Sequence, residues 1–301
     1  MSAPQLARVS ILGVGKMGAA AARRLAGLGY EVCVWNRSSD KARALASDRI
    51  TVAETARDAV EAADLCIALL STTDAVRQVV EECRGPSTLV LANLASGSPD
   101  DGRAVAAAVA EALPNATYVD GAYCGPPSAL EQGTGQLFVS CAGGEKALDA
   151  RAGAALRALG VTSFCAGVGA ARALDYAVVD MAFVTLMSYA SNAAMLEREG
   201  VDASVAVAAI SHRLAAAPAA LEAAAARMAD RSDGAYESNP TATLATWRNF
   251  FDSRRPYLDK IGASRVLPDF CIDVLDRAGA SGAHGGADVT RVQEVLRYND
   301  G

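Results

Sequence analysis

Three glycines near the beginning of the chain have the spacing of a dinucleotide-binding loop. The segment Gly13-Val14-Gly15-Lys16-Met17-Gly18 follows the apolar run Val9–Leu12 and opens an alanine-rich segment that continues to Leu28. In this strand–loop–helix context, the first glycine permits a tight turn and the second lets a pyrophosphate approach the backbone. The third lets the helix pack on the strand, and free N–H groups at the helix start face the phosphates. An ordinary turn is the alternative interpretation, which the flanking patterns disfavour.

The end of the second predicted strand, Glu31–Trp35, bears on which dinucleotide fits the loop. A protein that binds NAD(H) usually has Asp or Glu there, about 20 residues after the glycines, to hold the ribose 2′-OH. This chain has Asn36, Arg37 and Ser38 instead, with Lys41 one turn further on. A carboxylate would repel a 2′-phosphate, whereas Arg and Ser can donate hydrogen bonds to one. We therefore expect NADPH as the cofactor; the alternative is that Arg37 and Lys41 only occupy a solvated helix start.

Three further segments follow predicted strands, at the edge where parallel sheets bind ligands. Leu69–Thr73 offers hydroxyl groups to a ribose or pyrophosphate, and Asn93–Pro99 places Asn93 where it could bind the nicotinamide side of the cofactor or the substrate. In Gly121–Pro127, Tyr123 is a candidate wall of the active site. The cofactor contacts predicted in the first segment are Leu70, Ser71 and Thr72. Ordinary turn chemistry is the alternative for each segment, because all loops use Asn, Ser, Gly and Pro.

Two carboxylates, Asp175 and Asp180, lie in an apolar segment with a helical pattern. An ionised acid is unfavourable there unless it is paired or held protonated. Asp175 and Phe183 are eight residues apart and share nearly the same helix face, whereas Asp180 lies about 140° round the helix from Asp175. Only one acid is therefore expected to face a cleft. Either acid could instead form a structural ion pair, for example with Arg172 or with an arginine of a partner chain.

Composition disfavours several classes of function. A net charge of −6 argues against a general nucleic-acid partner, which requires a basic surface. The seven cysteines are scattered and never in C-x-x-C spacing, which indicates reduced thiols in a cytoplasmic protein. With only two histidines, His212 and His284, a histidine-based metal site is not expected. No signal peptide precedes the first strand and no run of 18 uncharged apolar residues occurs, so we expect no membrane partner.

From residue 8 to about residue 165, apolar strands alternate with helical segments, which predicts an α/β Rossmann fold with a doubly wound sheet. The later strands are predicted at Leu65–Leu70, Thr88–Leu91, Tyr118–Asp120, Leu137–Cys141 and Val161–Cys165. Residues 171–199 form one long apolar helical pattern that ends at Gly200, and further helices follow. We therefore divide the chain into an NADP-binding domain (1–168), an interdomain helix (169–199) and an all-helical C-terminal domain (200–301).

The C-terminal domain is short of residues for a core of its own. Its helices are rich in alanine and accompany a long apolar helix, and a unit of this size buries too little surface alone. A homodimer formed through the interdomain helix and the C-terminal helices would supply the missing burial. We therefore expect the chain to associate with a second copy of itself.

Taken together, these segments resemble the imine reductases and reductive aminases, which are relatives of the β-hydroxyacid dehydrogenases. The resemblance covers essentially the whole chain and rests on Gly13–Gly18, Val34–Ser38, Asn93–Pro99, Ala173–Ala177 and Gly282–Asp288. It implies an NADPH-dependent reductase of a C=N bond in a cyclic imine or iminium, with an interlocked dimer. The alternatives are a β-hydroxyacid or other carbonyl reductase with a different proton donor, and an NADPH-binding protein without turnover.

The resemblance also implies a catalytic residue. The β-hydroxyacid dehydrogenases need a lysine near the start of the interdomain helix, but this chain has none between Lys146 and Lys260. Arg172 is close by, yet a guanidinium keeps its proton near neutrality. The imine reductases have an Asp or Tyr on this helix, which corresponds to Asp175. This acid would protonate the imine nitrogen or stabilise an iminium. The family more often has the acid after a tyrosine, whereas here Tyr176 follows it.

The same resemblance implies a substrate pocket around Asp175. Phe183 and Tyr123 would line this pocket, and Asn93 would orient the nicotinamide or the substrate. His284, near the end of the chain, would reach the cleft from the other subunit, or it would cap a helix. These residues come from widely separated parts of the sequence, so the pocket depends on the fold that brings them together.

Overall fold

The computed structural model of the protein describes residues 8–85, 88–230, 242–280 and 287–296. The chain divides into two compact units, Met1–Met181 and Ala182–Gly301, and the division falls within its longest helix. The domain limits expected from the sequence, near residues 168 and 199, lie on either side of this division and stay a prediction.

One eight-stranded sheet is the centre of the first unit. Its strands are β1 (Val9–Leu12), β2 (Val32–Trp35), β3 (Ile50–Val52), β4 (Leu65–Ala68), β5 (Val90–Asn93), β6 (Thr117–Cys124), β7 (Gln136–Cys141) and β8 (Val161–Ala166). They lie in the order β3-β2-β1-β4-β5-β6-β7-β8, and β1 to β6 are parallel. Because β1 lies between β2 and β4, the chain reverses its direction across the sheet there, which is where doubly wound sheets bind ligands.

Helices cover both faces of the sheet, as parallel strands require. They are α1 (Lys16–Gly27), α2 (Ser39–Arg43), α3 (Ala56–Glu61), α4 (Thr73–Glu82), α5 (Pro99–Ala112), α6 (Pro127–Gln132) and α7 (Ala150–Ala158). Apolar side chains of α1, α2, α6 and α7 form one buried cluster with the sheet, and those of α3, α4 and α5 form a second cluster. The start of α5 is fixed locally, because Ser98 and Asp101 form a capping box and Pro99 occupies the first helical position.

The predicted Rossmann fold is confirmed, and each strand expected from the sequence is present with ends that differ by a few residues. Strand β3 has no counterpart in the sequence prediction, because it is only three residues long and lies at the sheet edge. Strand β7 runs antiparallel to β6, and β8 follows β7, which apolar runs alone cannot reveal. Strand β6 continues to Cys124, so the first residues of the predicted loop Gly121–Pro127 are strand instead.

The longest helix, α8 (Ala170–Arg198), runs from the first unit into the second and matches the helical pattern at 171–199. The second unit continues with α9 (Ala203–Ala215), α10 (Ala217–Asp230), α11 (Leu244–Ile261), α12 (Val266–Ala280) and α13 (Val292–Leu296). In its described residues, a small buried cluster of Leu244, Leu275, Ala278 and Ala287 packs with the rings of Trp247 and Phe251. The second unit therefore has only a modest apolar core of its own.

Large apolar side chains are exposed along α8, α9 and α10. They are Tyr176, Val179, Met181, Phe183, Val184, Leu186, Met187, Val205, Val207, Leu214 and Leu221. By length and composition alone, Ala170–Arg198 and Ala203–Arg227 could each cross a membrane, with a mean hydropathy of 1.3. The first stretch contains Arg172, Asp175 and Asp180, so it is not uniformly apolar. An exposed apolar surface of this extent is typical of an interaction site.

Candidate functional site

The three loop glycines meet different physical requirements. Gly13 has a φ of +94°, which favours glycine, and a Cβ atom there would lie 2.7 Å from the Leu69 carbonyl oxygen. A Cβ atom at Gly18 would collide with the Gly13 carbonyl oxygen, so glycine lets α1 begin close to β1. By contrast, a Cβ atom at Gly15 would meet nothing within 4 Å. The first and third glycines are therefore required by the protein itself, whereas the second borders open space where a ligand could approach the backbone.

A cavity of about 400 Å³ opens beside this loop, lined by Val14, Gly15, Lys16, Ala19, Ala20, Arg23, Pro127 and Glu131. The first turn of α1, which the structure describes in full, contains no acidic residue, and Gly15 precedes it without a side-chain cap. The partial positive charge of a helix start favours an anion, and Lys16 and Arg23 add to it. Met17 packs instead against the apolar cluster under α1. The residues present therefore fit a dinucleotide pyrophosphate.

The end of β2 combines one structural residue with three exposed ones. Asn36 Oδ1 accepts a hydrogen bond from the Val14 backbone N–H at 3.1 Å, and Asn36 Nδ2 donates to the Ser38 carbonyl oxygen at 3.0 Å. The Asn36 amide therefore holds the glycine loop in place. Arg37, Ser38 and Lys41 are exposed, and the Ser38 side chain does not cap α2. Their side chains can reach a phosphate group without losing a described contact.

The loop after β4 packs against the glycine loop. Leu70 Cδ2 lies 2.9 Å from where a Cβ atom of Gly13 would be, so the two loops are in contact. Thr72 Oγ1 accepts a hydrogen bond from the Ala75 N–H at 3.1 Å and thereby caps α4, while Ser71 is exposed. Of the cofactor contacts predicted in this loop, Leu70 thus adjoins Gly13, and Ser71 has an exposed side chain. The contacts of Leu70, Ser71 and Thr72 with a cofactor stay predictions.

A buried polar network joins Asn93, at the carboxyl end of β5, to Tyr118 and Asp120 in the first half of β6. Asn93 is fully buried, its Nδ2 donates to the Tyr118 hydroxyl oxygen at 3.1 Å, and its Oδ1 accepts from the Ala95 N–H at 3.1 Å. The Tyr118 hydroxyl donates to Asp120 Oδ1 at 3.1 Å, and burial raises the pKa of Tyr118, which keeps it a donor. The Asn93 amide is therefore engaged within the protein, and its predicted contact with the nicotinamide or substrate stays a prediction.

Arg172, in the first turn of α8, completes this network. Its Nε donates to Asp120 Oδ1 at 2.7 Å, and its Nη1 donates to the Ala95 carbonyl oxygen at 2.7 Å. Both side chains of the ion pair are at most 1% exposed. The Gly169 N–H donates to the other carboxyl oxygen of Asp120 at 3.1 Å. The pair therefore joins the middle of β6, the loop after β5 and the start of α8.

Asp175 lies one turn beyond Arg172 on α8 and is half-buried. Burial raises the pKa of the Asp175 carboxyl, while the Arg172 guanidinium acts in the opposite direction. The pKa of the Cys124 thiol, at the end of β6, is raised by burial and also by Asp175. Asp175 is therefore close to the ligand-binding edge of the sheet and suited to hold a proton. Because Arg172 pairs with Asp120, its predicted alternative partnership with Asp175 does not form.

The other residues predicted for the pocket lie in different environments. Tyr123 and Cys124 are consecutive in β6, so their side chains point to opposite faces of the sheet. The Tyr123 ring packs with the cluster under α1, α6 and α7, away from the face on which Cys124 interacts with Asp175. Phe183 is 61% exposed on α8, and His284 lies outside the described residues. The structure thus does not group Tyr123 with Asp175, and the pocket roles of these residues stay predictions.

Two residues of the buried network, Tyr118 and Asp120, were not singled out by the sequence patterns. The sequence gives little indication of their role, since a tyrosine and an acid beside an apolar run also occur in strands that carry no buried network. The sequence patterns do not single out Gly102 either. It lies inside α5, where glycine is unfavourable compared with alanine.

In the described part of the chain, no group of three or more His, Cys, Asp or Glu side chains could hold a metal ion.

A larger cavity, of about 720 Å³, lies at the opposite, amino-terminal edge of the sheet. Four arginines line it, and each lies within 4.0 Å of a carboxylate: Arg8, Arg57, Arg84 and Arg151. Their charges are already balanced by neighbours of opposite sign. Volume alone therefore does not make this cavity the better candidate, because doubly wound sheets bind ligands at the carboxyl ends of their strands.

Comparison with known proteins agrees with this geometry. The family model that matches residues 8–169 is the NAD binding domain of 6-phosphogluconate dehydrogenase. Among curated proteins, an NADPH-dependent reductive aminase from Aspergillus oryzae is 25% identical over 296 residues, which cover 96% of this chain and 97% of that protein. The similarity therefore includes both compact units.

Two solved structures of imine reductase from Myxococcus stipitatus are also similar to the chain. A V8 variant in complex with NAD+ is 25% identical, with a TM-score of 0.80 and coverage of 97% of this chain and 100% of that one. The imine reductase in complex with NADP+ is 26% identical, with a TM-score of 0.77 and coverage of 96% and 99%. The two complexes differ in the dinucleotide they contain.

Proposed function

Because the chain belongs to the family that has the NAD binding domain of 6-phosphogluconate dehydrogenase, and within it to the imine reductases and reductive aminases, we propose that it reduces C=N bonds with NADPH. The proposed substrate is a cyclic imine or iminium, and the product is the amine. A reductase of a C=O bond is the less favoured alternative, because no lysine is present at the start of α8.

The observation that carries this proposal is the half-buried Asp175 carboxyl at the ligand-binding edge, with its pKa raised by burial. A protonated carboxyl can donate to the nitrogen of an imine, and an ionised one can stabilise an iminium that has already formed. The nicotinamide supplies the hydride when it is bound. The protein then has to bind both partners, orient them and exclude water, which is the role expected of the residues around this edge.

Three features support NADPH as the partner. The cavity beside Gly15 and the uncapped start of α1 fit a pyrophosphate. Arg37, Ser38 and Lys41 are exposed at the end of β2, where a carboxylate would select against a 2′-phosphate. The one acid in the first turn of α2, Asp40, lies 3.7 Å from Arg43 and is partly neutralised by it. The reductive aminase from Aspergillus oryzae is itself described as NADPH-dependent.

We further propose a homodimer in the cytoplasm. The exposed apolar side chains of α8, α9 and α10 need a partner surface, and a second copy offers the same kind of surface. All seven cysteines are free, which fits a reducing compartment. A membrane surface would be the competing occupant, and the particle mass in the absence of detergent distinguishes the two.

The proposed reaction is tested by assaying cyclic imines with NADPH, and 3-hydroxy acids with NADP⁺ as the competing assay. In Asp175→Ala, imine turnover should fall by about two orders of magnitude or more, because the proton donor is lost, while NADP⁺ binding persists. Asp180→Ala is the matched control, since Asp180 is an exposed acid on the same helix. A kcat/KM close to that of the unmodified enzyme in Asp175→Ala would reject the assignment.

The proposed 2′-phosphate contact has a separate test. Arg37→Ala should weaken NADPH binding about tenfold or more and leave NADH binding nearly unchanged, because the lost hydrogen bond is to a charged group. Arg49→Ala removes the same charge from a residue that pairs with Glu31 at 3.0 Å. It should affect neither dinucleotide. An equal loss for both dinucleotides in Arg37→Ala would remove this contact from the proposal.

A further inference from the structure

Gly102 makes room for the buried ion pair of Asp120 and Arg172. This glycine lies inside α5, and a Cβ atom there would lie 2.6 and 2.7 Å from the two Asp120 carboxyl oxygens and 2.8 Å from Arg172 Nε. Those distances are too short for any real Cβ contact, and both side chains are enclosed. A residue that is unfavourable in a helix therefore stands at a place on α5 where a side chain would displace the pair.

The pair holds several parts of the ligand-binding edge at once. Arg172 Nη1 donates to the carbonyl oxygens of Ala95 at 2.7 Å and Gly97 at 3.3 Å, both in the loop after β5. Asp120 belongs to β6 and also accepts from the Gly169 N–H, immediately before α8. The first turn of α8 is therefore anchored to the middle of β6 and to the loop after β5 by hydrogen bonds of fixed direction, as the planar fork of a guanidinium allows.

Asp175 depends on this anchor, because it lies three residues after Arg172 on the same helix. Side chains at that spacing are neighbours on a helix surface. The groups that act electrostatically on Asp175 or respond to it are Arg172 on its own helix and Cys124 at the end of β6, with Asp120 behind Arg172. One guanidinium nitrogen, Arg172 Nη2, is buried without a hydrogen-bond partner among the described residues. The N–H groups of this nitrogen are thus left without an acceptor in the network around Asp120.

We propose that Arg172, held by Asp120 in the space left by Gly102, is the positioning residue of Asp175: it fixes the place of the Asp175 carboxyl at the sheet edge and keeps a guanidinium group one helical turn before it. This inference rests on the proposed role of Asp175 in C=N reduction. Arg172 itself touches neither substrate nor cofactor in this role. It acts through the first turn of α8 and through its charge.

The first test is the double variant Asp120→Asn/Arg172→Met, which removes both charges together and leaves an acceptor for the Gly169 N–H at position 120. We expect the variant to fold and to bind NADP⁺ within about threefold of the unmodified protein. Its kcat for imine reduction should fall about tenfold with little change in KM, because the Asp175 carboxyl is no longer held in place while the groups that bind the substrate are unchanged. The pH dependence of kcat should shift to higher pH, because the guanidinium no longer opposes the effect of burial.

A readout without turnover separates this inference from the proposed function. In protein labelled with ¹³C-carboxyl aspartate, the Asp175 signal, assigned by comparison with Asp175→Asn, should titrate at higher pH in the double variant. If the unmodified protein reduces no imine, the proposed function fails, and the titration still decides whether Arg172 controls Asp175. An unchanged titration together with an unchanged kcat would overturn the inference even if the enzyme is an active imine reductase.

The second variant, Gly102→Ala, displaces the pair without altering any charged residue. We expect the same direction of change in kcat and the same retention of NADP⁺ binding. Gly279→Ala is the matched control, because Gly279 is also a helical glycine but a Cβ atom there would meet nothing within 4 Å. If both glycine variants keep full kcat while a crystal structure of Gly102→Ala shows the pair displaced, Arg172 has no positioning role. If kcat falls in Gly102→Ala and not in Gly279→Ala, the result supports the positioning role of Arg172, even if the double variant does not fold.

Discussion

The first turn of α8 and the middle of the same helix have opposite relations between polarity and burial. In the first turn, Arg172 is only 1% exposed although it carries a full charge. In the middle, Phe183 and Val184 are 61% and 57% exposed although they are apolar. Both arrangements run against the usual distribution, in which charged side chains face water and large apolar ones are enclosed.

The difference shows that burial along α8 follows the available partners rather than residue type. Arg172 is enclosed because Asp120 and the carbonyl groups of Ala95 and Gly97 bind its guanidinium. The apolar side chains in the middle of the helix are exposed in the described part of the chain, and a surface of this kind is typical of an interaction site. The first turn is therefore enclosed by groups of its own chain, whereas the proposed homodimer would cover the middle. A single substitution in each of the two regions of α8 tests this difference.

The largest expected effect is on the first turn. Arg172→Met leaves the Asp120 carboxylate buried without its counter-charge, and removal of one partner of a buried pair typically lowers the free energy of unfolding by about 3 to 5 kcal/mol. Urea denaturation followed by circular dichroism measures this loss. The matched variant Arg103→Met removes an arginine that is paired with Asp100 at the surface, where the loss should be about 1 kcal/mol or less.

The double variant Asp120→Asn/Arg172→Met sharpens this result. Because no unpaired charge remains, most of the lost free energy of unfolding should return. If the single and double variants are equally unstable, the loss comes from packing of the arginine side chain rather than from an uncompensated charge. The first turn would then be an ordinary packed segment, and its contrast with the middle of α8 would be much weaker.

The next effect concerns the exposed middle of α8. Val184→Asp should raise the dissociation constant of the proposed homodimer about 100-fold or more, because burial of one such side chain contributes about 1.5 to 3 kcal/mol and the new charge must also be desolvated. Sedimentation at micromolar concentration measures the change. Val161→Asp is the matched control, since Val161 is 65% exposed on β8, in the first unit. A dimer that survives Val184→Asp would exclude this part of α8 from the interface.

The local elements of this fold and site are predictable from sequence because their causes are local. Gly13 and Gly18 are required by a positive φ and by a close backbone approach within six residues. The long helical pattern at 171–199 is fixed by its own periodicity and by Gly200, whose φ is +69°. Nearby residues decide these features, so a short stretch of sequence contains the information.

The remaining features depend on contacts between distant residues. Asp120 and Arg172 are 52 residues apart, and only the fold reveals that they pair and that Gly102 admits them. The sequence predicts Tyr123 in a loop, but β6 continues through Cys124, and the alternation of a strand places the Tyr123 ring on the face opposite to Cys124. Its role as a wall of the active site stays a prediction. The reversed direction of β7 likewise leaves no trace in an apolar run. Strand length, direction and pairing are tertiary properties, which local patterns do not encode.

The smallest expected effect concerns Asp175, which stands between the enclosed and exposed parts of α8. Because burial raises its pKa in the folded protein, the folded state binds this proton more tightly than the unfolded chain does. The resulting stabilisation is fully present below the unfolded pKa and is lost as the pH rises through the folded pKa. Asp175→Asn cannot ionise, so its free energy of unfolding relative to the unmodified protein should rise slightly between acid and neutral pH. Urea denaturation at several pH values measures this slope. A flat or opposite slope in Asp175→Asn would mean that Asp175 is as well solvated as the exposed half of the helix.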